Sequence, residues 1–387
     1  MTSGRHGRTR RRIRRITVIT GTRAEYGLLR STMEAIQKRR SLRLQIVVTG
    51  MHLLRKFGNT VDEIVRDGWH VDARVRMQAG DDSPLDQATG LARGVSGIAK
   101  FLESADTDIV VVLGDRIEAL AGALAGVTTG RLVAHIHGGD IARGDFDESL
   151  RHAITKLAHV HLTATRAAQR RVIRMGETSN RVHWVGAPGL DHLIRLTGHV
   201  KGIKKRTGRA LIVQHSAGRK PANERRVMTA VLNAVDKAGL TRTIVFPNSD
   251  RGHTGVIEAI EAHRRRSDNG SVRIVRSYDR DTYLRTLIEA DVLVGNSSSG
   301  IIEAAAAGTP SVNVGPRQHG RERSGRSVID ADESAASIGG AIRKALRKRP
   351  ITGRPTVYGD GSAGPRIAEI LADVPLSDRF RHKTNAY

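Results

Sequence analysis

In the stretch VVVLGDRIEALAGALAGVTTGRLVAHIHGGD at 110–140, two apolar runs each stop at a cluster of ionisable residues. The first gives way to Gly114-Asp115-Arg116, the second to His135-Ile-His137-Gly-Gly-Asp140, with Asp147 and Arg151 following. Ending a buried strand in carboxylates, imidazoles and a guanidinium is costly unless the end opens onto a site. Together these types supply a proton acceptor, a proton donor and a clamp for anionic oxygens, the parts of general acid–base chemistry. His135 and His137 are two apart, so a strand continuing through them would turn both to one side. No acidic cluster completes a metal site there, and no metal is expected. Asp147 and Arg151 are one helical turn apart, the spacing of a surface ion pair.

A second kind of chemistry is written in GNSSSGIIEAAAAG at 295–308. An apolar strand ends at Gly295, three serines make the turn, and a helix is expected to begin near Gly300. Backbone N–H groups and the positive end of a helix dipole bind phosphate at such a turn. Ser297 and Ser298 add hydroxyl donors, and small side chains let a diphosphate come close. Glu303, one turn into the helix, suits a ribose diol. Arg23, in the strand-to-helix turn GTRAEYG, is a further candidate phosphate clamp, and His215 ends the strand ALIVQH.

The elements that must position these groups are regular. RRITVITG, LRLQIVVTG, TDIVVVLGD and RLVAHIHGG read as strands without internal alternation, separated by amphipathic helices, as in a parallel sheet covered on both faces. The pattern restarts at RALIVQHS and runs on through RTIVFPNSD, SVRIVRS, ADVLVGNSSS and TPSVNVG. The expected fold class is α/β, with two Rossmann-like domains facing a cleft, and ligands are expected at the carboxyl ends of the strands. The expected division is a disordered basic tail over 1–15, a first Rossmann-like domain over 16–195, a second over 205–362, and a C-terminal helix and tail over 363–387.

Bulk composition narrows the partners. A chain of 387 residues is long enough for two cores. The absence of cysteine excludes disulfides, thiolate zinc sites and a cysteine nucleophile, and suits the reducing cytoplasm expected as its location. No apolar segment reaches membrane-spanning length. The net charge is +25, and the first fifteen residues hold seven arginines and no acid. A diffuse positive field attracts an anionic small substrate as well as a polyanion. No stacking aromatics are interleaved with the basic residues, so specific nucleic-acid binding is not expected.

Several long motifs together resemble one family. LGDRIEALAGALA, HIHGGDIARGDFDESLRHAITKLAHVHL, VTGMHLL with FGNT, GNSSSGIIEAAAAGTPSVNVG and RQHGRERSGRSVID are similar to those of the hydrolysing UDP-N-acetylglucosamine 2-epimerases, over about Ile16 to Leu371. That resemblance implies a glycosyltransferase-B-like fold, no cofactor, a UDP-sugar substrate, a homo-oligomer (dimer or tetramer), and release of N-acetylmannosamine and UDP for sialic acid synthesis. It implies that Asp115, His137 and Asp147 are catalytic, with Asp140 and His215 as further candidates. Ser297 and Ser298 would hold the diphosphate, Glu303 the ribose, and Arg23, Arg116 and Arg151 the phosphates or sugar, while Asn248 and Arg317 line the nucleotide site. Three positions depart from or vary within the family pattern. Family members carry glutamate or histidine at the position of His137, the usual Gly-Gly-Glu ends here in Asp140, and a common His-Pro is His215-Ser216. The alternatives are the same reaction on a UDP-2,4-diacetamido-trideoxyhexose, a non-hydrolysing epimerase, a glycosyltransferase of like architecture, and a basic nucleic-acid-binding protein.

Overall fold

The computed structural model describes residues 12–55, 58–78, 84–141, 147–198, 206–247, 251–266, 271–276, 278–348 and 356–386. The first seven strands are β1 (Arg14–Thr20), β2 (Leu42–Thr49), β3 (Ala73–Val75), β4 (Ile109–Leu113), β5 (Leu132–Ile136), β6 (Val160–Thr163) and β7 (Val182–Trp184). They form one sheet in the order β3-β2-β1-β4-β5-β6-β7. The next six are β8 (Arg209–Val213), β9 (Thr241–Val245), β10 (Val272–Val275), β11 (Val292–Gly295), β12 (Ser311–Val314) and β13 (Val328–Ala331). Their order is β10-β9-β8-β11-β12-β13.

Both sheets are built by the same rule. The pairings β1–β2, β1–β4, β8–β9 and β8–β11 are all parallel, so each connection must cross over through a helix. Strands β4 and β5 are buried at every residue, which is why they read as unbroken apolar runs. In β8 the side chains alternate between two cores. Ala210 and Ile212 pack with Val227, Val231 and Ile260, while Leu211 and Val213 pack with Leu284, Ile301 and Ala304.

Strand order reverses beside β1 and β4 in the first sheet and beside β8 and β11 in the second. At a reversal the following helices leave to opposite faces and open a crevice at the strands' carboxyl ends. GTRAEYG follows β1, GDRIE follows β4, QHS follows β8 and NSSSG follows β11. These four motifs therefore sit at the two switch points, and HGGD, after β5, lies one strand further along the first sheet.

Strand β1 begins at Arg14, where the run RRITVITG begins, so it takes in the last two residues of the stretch 1–15. Arg14 donates to the Leu371 carbonyl oxygen at 3.0 Å, and Arg15 pairs with Asp106, so these two arginines are part of the first compact unit. Residues 1–11 lie outside the described residues. Among the described residues no helix is long and apolar enough to cross a membrane.

Candidate active site

At the ends of β1 and β4, Thr22 caps the helix Arg23–Lys38 by accepting from the Glu25 amide, and Arg23 Nε lies 2.6 Å from Glu63 Oε2. After β4, Asp115 is half-buried in the turn and Arg116 takes the cap position of the helix Ile117–Thr128 without capping through its side chain. Arg116 Nε reaches Glu118 Oε2 at 3.3 Å, and Gln78 donates to Glu118 Oε1 at 3.2 Å. Glu118 is fully buried, and its carboxylate lies near a second buried acid, Glu25. Burial and the Glu118 charge push the Glu25 carboxyl up to about 8, against the Gly21 amide, which donates to it, and the Arg116 guanidinium. Burial likewise drives His52 down to about 4, although Glu118 opposes the change; its ring is held between Thr20 and Thr60.

The turn after β5 corrects the period-two expectation. The strand stops at Ile136, and His137 has φ +64°, so the two histidines part company. His135 is fully buried with Nε2 2.7 Å from the Gly114 carbonyl oxygen, where it ties β5 to the turn after β4. The left-handed backbone at His137 costs about 1–3 kcal/mol in a residue that is not glycine and must be held by its surroundings. Its Nδ1 lies 2.9 Å from Asp140 Oδ2. Its Nε2 is buried and has no hydrogen-bond partner among the described residues. Arg151 donates to the His137 carbonyl oxygen at 3.1 Å, and Arg171 donates to that of Gly139.

Arg151 is therefore no surface residue. It is 2% exposed, and Asp147 is the half-buried first residue of the same helix, Asp147–Leu157. Burial, with the guanidiniums of Arg321 and Arg171, presses Arg151 down to about 9, which leaves it charged at neutral pH. Burial alone would raise the Asp140 carboxyl, but His137, Arg321 and Arg171 hold it below the usual carboxylate value. Arg321 Nη1 stands 3.6 Å from Asp140 Oδ2. An ionised Asp140 accepts the hydrogen bond of Nδ1 and so fixes the orientation of the ring.

At the ends of β8 and β11, the His215 amide donates to Asn296 Oδ1 and Asn296 Nδ2 donates back to the His215 carbonyl oxygen, both at 2.8 Å. Gly295, with φ +141°, allows this approach: a Cβ there would lie 2.1 Å from the Val213 carbonyl oxygen. The helix begins at Ser299, one residue before the expected start, with Ser298 as its cap residue and no side-chain cap bond. Ser297 is buried, and its Oγ accepts from the Ser299 amide at 3.3 Å. The Asn296 carbonyl oxygen takes Arg317 Nη1 at 3.3 Å and Gln318 Nε2 at 2.8 Å. Glu303 is buried and ion-paired with Arg280. Asn248 lies outside the described residues.

The structure thus groups His137, Asp140 and Arg151 around the turn after β5, and His215, Ser297, Ser298 and Arg317 around another. Sequence reasoning passed over Arg171, Arg280, Arg321, Asn296, Glu25 and Glu118. Glu118 had a readable signal, as the one charged residue in IEALAGALAGVT. Arg321 lay inside a motif already singled out, four residues beyond Arg317.

Two parallel Rossmann-like sheets, each with a polar turn at its switch point, define a glycosyltransferase-B-like α/β protein. The family model described as UDP-N-acetylglucosamine 2-epimerase matches residues 34–372, and the chain belongs to that family. It is 36% identical over 382 residues to the UDP-N,N'-diacetylbacillosamine 2-epimerase (hydrolyzing) of Legionella pneumophila, covering 97% of this chain and 100% of that relative. It is 32% identical over 371 residues to the UDP-N-acetylglucosamine 2-epimerase of Neisseria meningitidis serogroup B, covering 93% and 95%. A crystal structure of a UDP-GlcNAc 2-epimerase from Neisseria meningitidis bound to UDP-GlcNAc matches with TM-score 0.74 and 16% identity, over 92% of this chain and 99% of that one, a likeness of fold.

Proposed function

We propose that this protein is a hydrolysing 2-epimerase of a UDP-2-acetamido sugar, releasing UDP and the free 2-epimer. The observation that carries the reading is the left-handed His137, with Nδ1 on Asp140 and Nε2 buried without a partner among the described residues.

The C2 proton of such a sugar is not beside a carbonyl and is barely acidic. If the C1–O bond breaks first, its electrons leave with the β-phosphate and positive character at C1 acidifies C2. A base then takes the C2 proton, and the C2–H electrons become the C1–C2 double bond of a 2-acetamidoglucal. Water adds its oxygen to C1, and a proton returns to C2 on the opposite face. In this reading His137 and the carboxylates Asp115 and Asp147 exchange these protons, Asp140 orients His137, and His215 is a further acid–base candidate. Such a group contributes about 10²–10⁴ in rate.

The leaving UDP needs oriented donors, each worth about 10²–10³. Ser297, Ser298 and Arg317 are assigned to the diphosphate, Glu303 to the ribose, and Arg23, Arg116 and Arg151 to the phosphates or sugar. Ser298 supports this assignment, since its hydroxyl is not used as a helix cap.

UDP-N-acetylglucosamine is the simplest substrate of this type. The diacetamido sugar is the second reading, favoured by the Legionella relative, which aligns over its whole length. Incubating the protein with each UDP-sugar and assigning products by NMR tests both. Free 2-epimer and UDP from either supports the activity and identifies the sugar; a product still joined to UDP rejects hydrolysis.

A further inference from the structure

The buried ion pair between Arg280 and Glu303 has a role that packing alone does not account for. Arg280 is the first residue of the helix Arg280–Glu289, and Asp279 caps that helix through the Thr282 amide. Its Nη2 donates both to Glu303 Oε1 and to the Gly189 carbonyl oxygen, the latter at 2.9 Å. One turn further on, the Tyr283 hydroxyl donates to Ser299 Oγ at 2.6 Å, and burial raises its pKa so that it keeps the proton. The first turn of one helix thus grips the serine-rich helix at its first residue and at Glu303.

The side chains of Arg280 and Glu303 are 13% and 6% exposed. An ion pair at this depth adds little net stability, because desolvation offsets the attraction. What it does is positional. With Arg280 donating to Oε1, the Glu303 carboxylate is fixed in rotation.

We propose that Arg280 is a positioning residue for nucleotide recognition: anchored on Gly189, it holds Glu303 oriented so that the carboxylate accepts from a ribose diol. The inference rests on the assignment of Glu303 to the ribose and adds the group that makes the assignment work. Arginine is required because it must serve a carboxylate and a carbonyl oxygen from one planar head, which a lysine ammonium does less well.

The test compares calorimetric affinities for UDP and 2′,3′-dideoxy-UDP in the wild type and in Arg280→Lys. The wild type should prefer UDP by about tenfold or more, as expected for hydrogen bonds to a charged acceptor. Arg280→Lys should reduce that preference to less than about threefold while binding the dideoxy nucleotide much as the wild type does. In a Glu303→Gln background the same substitution should change neither affinity further. A merely structural Arg280 would weaken both nucleotides equally and leave the ratio intact, which overturns the proposal alone. A wild type with no preference for the diol overturns the ribose assignment and the proposal together. Arg280→Gln, which is neutral but can still donate to Gly189, gives the same ratio test if the lysine variant does not fold.

Discussion

Asp140 Oδ2 lies 2.9 Å from His137 Nδ1, three residues back across a turn in which His137 has φ +64°. The pair commits one ring nitrogen and leaves the other for a proton. The guanidiniums around Asp140 keep it ionised and so keep the ring oriented.

Asp140→Asn tests that arrangement. The amide preserves size but no longer holds an Nδ1 proton by charge. Turnover should fall by about 10²-fold or more, while UDP affinity stays within about threefold, because Asp140 is assigned to no nucleotide contact. Stopped assays of product and calorimetry with UDP measure the two quantities. Wild-type turnover would remove Asp140 from the proton path.

Glu25 and His52 make stability depend on pH in opposite senses. Folded Glu25 keeps its proton up to about 8, while an unfolded one loses it near 4.5, so its contribution falls as pH rises between those values. Folded His52 resists protonation down to about 4, against 6.5 unfolded, so its contribution rises with pH across that range. The two slopes oppose from about 4.5 to 6.5, and only that of Glu25 remains from 6.5 to 8. Tm should therefore decline between pH 6.5 and 8, and Glu25→Gln should flatten the decline. An unchanged slope in Glu25→Gln would show that the carboxyl titrates elsewhere.

Gly295→Ala would force a Cβ to within 2.1 Å of the Val213 carbonyl oxygen, at φ +141°. Neither backbone can yield without separating β8 from β11. The expected cost is about 1–3 kcal/mol, visible in urea denaturation, with UDP binding weakened because the serine turn starts at that glycine. A variant with wild-type stability and UDP affinity would contradict this account of the turn.

The strands and the strand-end motifs were legible because parallel strands buried on both faces have an unmistakable apolar run and stop abruptly. The switch-point placement of GDRIE and NSSSG followed from strand order, which spacing alone only suggests. His137 was misplaced on a strand face because periodicity extrapolates a strand past its end, and nothing in HIHGGD marks a left-handed backbone at a histidine. Arg151 read as a surface residue because one group it donates to is a carbonyl oxygen fourteen residues away. Arg171, Arg280 and Arg321 were hidden for the same reason: a basic residue looks solvated until the fold brings an acceptor to it. In a chain with 64 lysines and arginines, residue type alone cannot single out these three.

The central claim is that proton exchange at C2 accompanies cleavage of the sugar–UDP bond, and running the reaction in deuterium oxide tests it most directly. The free sugar should carry inverted configuration and deuterium at C2, since the proton taken by the base exchanges before another is delivered from the opposite face. Mass spectrometry and NMR of the product read both properties at once. Free sugar with retained configuration and no deuterium at C2 would contradict the account and leave simple hydrolysis of the sugar–phosphate bond.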